Sequence, residues 1–137
     1  MNRVDLQALL ETRIQEAKSL LAAGFTDGAY YLAGYSVECA LKACIAKQTQ
    51  EHDFPDKKLV NESHTHNLTE LMRLAELTPI LRAAMQTDTS FEDDWLSVKN
   101  WSKASRYEYW SSADAQSMLE AIERPSGGLL RWIRLHW

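Results

Sequence analysis

Ala29-Tyr30-Tyr31-Leu32-Ala33-Gly34-Tyr35-Ser36-Val37-Glu38-Cys39-Ala40-Leu41-Lys42-Ala43-Cys44-Ile45 is the stretch on which the fold turns. Its apolar residues run nearly all the way round a helix, so it belongs at the centre of a bundle, or between a bundle and a partner. Thr26 or Asp27 can cap it, and it should last to about Lys47. Gly34 costs roughly 1 kcal/mol in a helix interior, which close approach by another backbone would rationalise. Glu38 and Lys42 form an i,i+4 pair on this apolar surface. They serve either as a structural ion pair or as the lining of a site.

Upstream, Leu6, Leu9, Leu10, Ile14, Ala17, Leu20 and Leu21 recur at helical spacing, predicting a helix from about Asp5 to Ala23 that Gly24 ends. Downstream, the polar segment from Gln48 to His66, with Pro55, reads as a loop. A third helix is expected from Asn67 to Leu77, capped by Asn67 with Glu70 at the third position, and Pro79 can open a short continuation from Ile80 to Met85. Ser90, supported by Asp93, is the expected cap of a helix through Trp101. The last long helix should begin near Ala113, be broken at Pro125 and Gly127-Gly128, and be followed by Leu129 to Trp137. Strand-like alternation, repeats and low-complexity segments are all missing. The pattern predicts one all-α domain over residues 1–137, an up-and-down bundle of four to five antiparallel helices.

A chain of 137 residues suits one hydrophobic core, and 45% hydrophobic with 25% charged residues argues against disorder. The net charge of -4 excludes a general phosphate-coating surface but leaves room for a local basic patch. Neither a secretory signal nor a membrane-length apolar run is evident, so the expected location is cytoplasmic, with no membrane partner. Cys39 and Cys44, five apart on one helix, diverge by roughly 140° and read as buried thiols in a reducing compartment. His64 and His66 alternate on a loop and His52 has no visible companion, so no metal and no cofactor are expected. His66 is better placed to cap or orient the third helix. No DNA-specific motif, Gly-rich phosphate loop or paired-carboxylate signature occurs.

Three motifs, in order, carry a family resemblance. The Ala29–Ala43 run, an aromatic- and alanine-rich segment leading into Glu38-x-x-x-Lys42-Ala43, resembles the second helix of HEPN domains (higher eukaryotes and prokaryotes nucleotide-binding). His66-Asn67-Leu68-x-x-Leu71 resembles the family's His-x-Leu-x-x-Leu helix start, and Ser105-Arg106-Tyr107 its Ser-Arg-Tyr turn before the final helix. The resemblance implies a HEPN-like bundle of four or five helices, often a homodimer. It also implies a place in a prokaryotic toxin–antitoxin or defence system, beside a nucleotidyltransferase-type partner. Many members are metal-independent ribonucleases with an Arg-x(4–6)-His motif, two copies of which meet across a dimer cleft.

That motif fails where the resemblance would put it: after Arg106, the positions that should hold histidine are Ser111, Ser112 and Ala113. Arg131-Trp132-Ile133-Arg134-Leu135-His136 has the spacing, but on one helix the two ends diverge by about 140°. Arg131 and His136 are therefore catalytic candidates only with fraying or a second subunit; otherwise they are solvated ends of an amphipathic helix.

The segment holding Trp95, Lys99, Trp101, Lys103, Arg106, Tyr107, Tyr109 and Trp110 interleaves cations with aromatic faces, as single-stranded nucleic acid binding requires. Alternatively Trp95 and Trp101 fill the core while Arg106 pairs with a carboxylate such as Glu38. Glu38, Lys42, Arg106 and Tyr107 are the expected lining of a ligand cleft, for RNA or a nucleotide. The leading expectation is a binding module lacking the usual ribonuclease site. The alternatives are an endoribonuclease using Arg131 and His136, or a diverged Arg106 site, and a purely structural oligomerisation module.

Overall fold

Asn2 opens the first helix. Its side chain accepts from the Asp5 amide at 2.9 Å while Asp5 accepts from the Asn2 amide at 3.0 Å, a reciprocal cap that starts α1 at Arg3–Ala22, two residues before the expected Asp5. Gly24, at φ +87°, ends it, and a three-residue link turns the chain straight into α2, Thr26–Lys47, so the two long helices pack antiparallel. The structure is a computed structural model that describes residues 1–49, 53–54 and 56–137. Among these residues it contains eight α-helices, one 3-10 turn and no β-strand. The all-helical reading stands; five of the helices are ten residues or longer.

After α2 come α3 (Lys57–Glu62), α4 (Leu68–Leu74), α5 (Thr78–Thr87) and α6 (Thr89–Val98), then a 3-10 turn at Lys103–Tyr107, α7 (Ser112–Ile122) and α8 (Leu129–Arg134). Several expected boundaries need correction. The stretch read as a loop holds α3, which Asp56 caps by accepting from the Lys58 and Leu59 amides; Pro55 and His52, part of the same reading, lie outside the described residues. The third helix stops at Leu74 rather than Leu77, because the chain turns through Glu76 at φ +59°. The cap of α6 is Asp88, not Ser90: its carboxylate accepts from the Phe91 amide at 3.1 Å. That helix ends at Val98, leaving Trp101 free to fold back. Thr26 and Asp27 do not cap α2; the Thr26 hydroxyl donates to the Trp110 carbonyl at 2.7 Å and Asp27 accepts from the Trp110 amide at 2.5 Å, tying the aromatic segment to the start of α2.

One hydrophobic cluster runs through the described residues. Ile14 of α1, Val37 and Leu41 of α2, Leu71 of α4, Met118 of α7 and Leu130 and Ile133 of α8 are all essentially inaccessible. Each such side chain stabilises the fold by roughly 1.5–3 kcal/mol relative to exposure. Cys39 and Cys44 are buried and unbridged, as expected; burial pushes the thiols up to about 11 and about 12 respectively, so both stay protonated at neutral pH. No helix among the described residues is long and apolar enough to cross a membrane.

Candidate functional site

The face of α2 that carries Tyr31, Gly34, Tyr35, Glu38 and Lys42 follows from helical spacing, since these residues lie three or four apart. Glu38 is only 2% exposed. A carboxylate so buried needs cationic or hydrogen-bonding company. It receives two donors on one oxygen: Lys42 Nζ at 2.9 Å and His66 Nδ1 at 2.9 Å, both to Oε1. Because a carboxylate only accepts, His66 carries its proton on Nδ1 when neutral, leaving Nε2 of a partly exposed ring as an acceptor. His66 thus turns back to α2, while Asn67 caps α4 through the Glu70 amide at 2.9 Å. The other oxygen, Glu38 Oε2, is buried with no hydrogen-bond partner among the described residues, as is Trp101 Nε1.

Trp101 lies one helical turn from Glu38, over Gly34: a Cβ on Gly34 would collide with the indole ring. The close approach expected at this glycine is therefore made by a side chain, not by another backbone. Tyr31 packs against the same indole, ring centroids 5.5 Å apart, and stacks towards Tyr35 at 6.3 Å. Burial, first of all, holds the Tyr35 phenol above its ordinary value, with Cys39 and Glu38 adding to it.

The Ser-Arg-Tyr turn divides inward from outward. Ser105 is buried; its hydroxyl accepts from the Ser102 amide at 3.1 Å and its carbonyl accepts from Trp110 Nε1 at 3.0 Å. Trp110 in turn stacks on Tyr30, centroids 3.7 Å apart and planes within 9°. Trp95 and Trp101 are buried and Trp110 is half-buried in this stack, so these three tryptophans pack within the fold. Lys103, Arg106, Tyr107 and Tyr109 face solvent, Tyr107 being 75% and Tyr109 94% exposed. The Arg106 guanidinium sits 4.8 Å from the Tyr107 ring centroid and donates to its hydroxyl at 2.7 Å. It makes no ion pair with Glu38, whose partners are Lys42 and His66, so that expected pairing is corrected. The four residues expected to line one cleft form two pairs, Glu38–Lys42 and Arg106–Tyr107, with no hydrogen bond or ion pair between them among the described residues.

Arg131 and His136 are not brought together. Arg131 Nη1 donates to the Ser126 carbonyl at 2.8 Å, whereas the His136 ring meets the edge of Trp132, centroids 4.9 Å apart. Burial, and then the Lys47 ammonium, hold His136 below its ordinary value. Sequence reasoning missed the Glu38–His66 contact, which joins two of the three motifs, and the ion pair of Asp94 with Arg124. Asp94 shares the inward face of α6 with Phe91, Trp95 and Val98, a spacing that marks it as a buried acid in need of a cation. No family model, no curated protein and no solved structure matches this chain.

Proposed function

We propose that the chain is a HEPN-like helical module of a prokaryotic toxin–antitoxin or defence-type system, which binds single-stranded RNA or a nucleotide without turnover. It does so as a homodimer, in company with a nucleotidyltransferase-type protein. The observation that carries the binding reading is the exposed turn at Lys103–Tyr107, where Arg106 lies on the Tyr107 ring beside Lys103 and Tyr109. Guanidinium and ammonium groups take phosphates, and tyrosine faces take bases irrespective of sequence. The family reading rests on the three motifs, and the contact of Glu38 with His66 supports treating the first two as parts of one site.

A second reading, metal-independent RNA cleavage, draws on one specific observation: His66 is oriented by a buried carboxylate, with Nε2 uncommitted among the described residues. Such a nitrogen can take the proton of a 2′-hydroxyl as its oxygen attacks phosphorus and the 5′-oxygen leaves. Titration of labelled single-stranded RNA in excess EDTA under rising salt separates the readings. Saturable binding that weakens with salt, with the RNA left intact, is expected. Cleavage abolished in His66→Ala would replace binding by catalysis, and a dimer with neither property would leave only the oligomerisation role.

A further inference from the structure

The chain has a cleft remote from the α2 strip, and its walls combine chemistry that the RNA-binding reading does not use. A cavity of about 740 Å3 opens between α5, α6, α8 and the turn joining α7 to α8. Phe91 and Trp132, tilted against each other with centroids 5.2 Å apart, give it an aromatic wall. Arg124, Ser126 and Arg131 give it a polar one. Arg124 and Arg131 also line a second hollow of about 500 Å3, to which Lys18 and Arg134 contribute. A volume of this size suits a small molecule.

The cations of this region are not equivalent. Lys18 pairs with Glu123 at 2.8 Å, Arg134 with Glu11 at 2.7 Å, and Arg124 with the buried carboxylate of Asp94. Burial, partly offset by Arg124, raises Asp94 above the usual carboxylate range. Arg131 alone among these four has no carboxylate partner among the described residues. It is exposed, and its one hydrogen bond among the described residues, to the Ser126 carbonyl, holds the turn and leaves most of its donors uncommitted there. The turn itself is closed by pairing of Arg124 with Gly127, and Arg124 and Arg131 line both hollows. Asp88, also on the cavity wall, has one oxygen committed to the Phe91 amide. Its charge disfavours a polyanion, so the lining fits one negative group on a ringed body.

We propose that this cleft is a ligand site for a small organic anion carrying a planar ring. The anion, a carboxylate or a phosphate ester, is held by Arg131, and the ring lies against Trp132 and Phe91. The charge-assisted contact supplies direction and the aromatic wall supplies burial. The test is NMR of the full chain, following the Trp132 indole N–H, identified by its loss in Trp132→Phe, during titration with phenyl phosphate, benzoate, inorganic phosphate and benzyl alcohol. Phenyl phosphate or benzoate is expected to shift the peak saturably, with inorganic phosphate and benzyl alcohol each about tenfold weaker and Arg131→Ala weakening the ringed anions about tenfold. Whichever ringed anion binds more tightly identifies the head group. No saturable shift at millimolar ligand, equal response to benzyl alcohol, or undiminished binding in Arg131→Ala would overturn the site. Arg131→Ala should leave RNA binding unchanged, which keeps this proposal separate from that one.

Discussion

At Gly34 a hydrogen atom in place of a side chain sets how near Trp101 can come to α2. Alanine would gain roughly 1 kcal/mol of helix propensity there and push against a buried indole in a filled core. The clash should win: Gly34→Ala is expected to lose about 1–3 kcal/mol in denaturant unfolding, and a gain would mean that the indole moves aside at little cost. The glycine was legible in the sequence as a point of close approach, but not what approaches it, because Trp101 is distant along the chain and only the end of α6 at Val98 frees it to return. Glu38 divides the same way. Its pairing with Lys42 follows from helical spacing, while its bond to His66 depends on how the segment before α4 folds back. His136 adds a pH dependence. Its folded value is depressed, so the neutral ring is the form the fold favours, and the stability it contributes is present above about pH 6.5 and lost as pH falls below that. Between about pH 7 and 5 the wild-type melting temperature should therefore fall more steeply than that of His136→Gln; parallel profiles would show that His136 is not the group concerned.

Among the helices, α3 alone fell in a stretch read as loop; the others were legible, the short ones with less certain ends. α1 and α2 carry enough apolar positions for their periodicity to stand out, and their three-residue link forces them antiparallel. Six-residue α3 has only Leu59 and Val60 to signal it, neither of them buried, and its plainest mark is the Asp56 cap. The cap of α6 was misplaced: Ser90 was expected where Asp88 caps the helix. Asp88 closes α5 and opens α6, so it serves two helices where Ser90 serves none as a cap. Asp88→Ala should cost about 1 kcal/mol and Ser90→Ala less than about 0.5 kcal/mol in chemical denaturation. The reverse order would restore Ser90 as the cap. The start of α7 was placed to within a residue of Ser112, and Ser111 fixes it through a reciprocal cap with Asp114 at 3.0 Å.

Across the whole molecule, an acidic chain of net charge -4 still presents a local cationic and aromatic surface at the Ser-Arg-Tyr turn. Composition could not locate that surface; the interleaving of Lys103, Arg106, Tyr107 and Tyr109 could. Which of the clustered aromatics stay outside was decided by contacts the sequence does not display, above all the stacking of Tyr30 on Trp110 and the ties from Thr26 and Asp27. The two halves of the expected cleft remain separate pairs because burial binds Glu38 to Lys42 and His66, leaving Arg106 for Tyr107. Binding of RNA at this turn, as proposed above, is tested most directly by fluorescence anisotropy of a labelled single-stranded RNA with wild-type protein, Arg106→Ala and Tyr107→Ala, at one fixed moderate salt concentration. Both substitutions are at exposed positions and should leave the helical content intact. Each is expected to weaken binding about tenfold, the former by loss of a phosphate contact and the latter by loss of a stacked base. Affinity unchanged in both variants, or no binding by the wild-type protein, would contradict it.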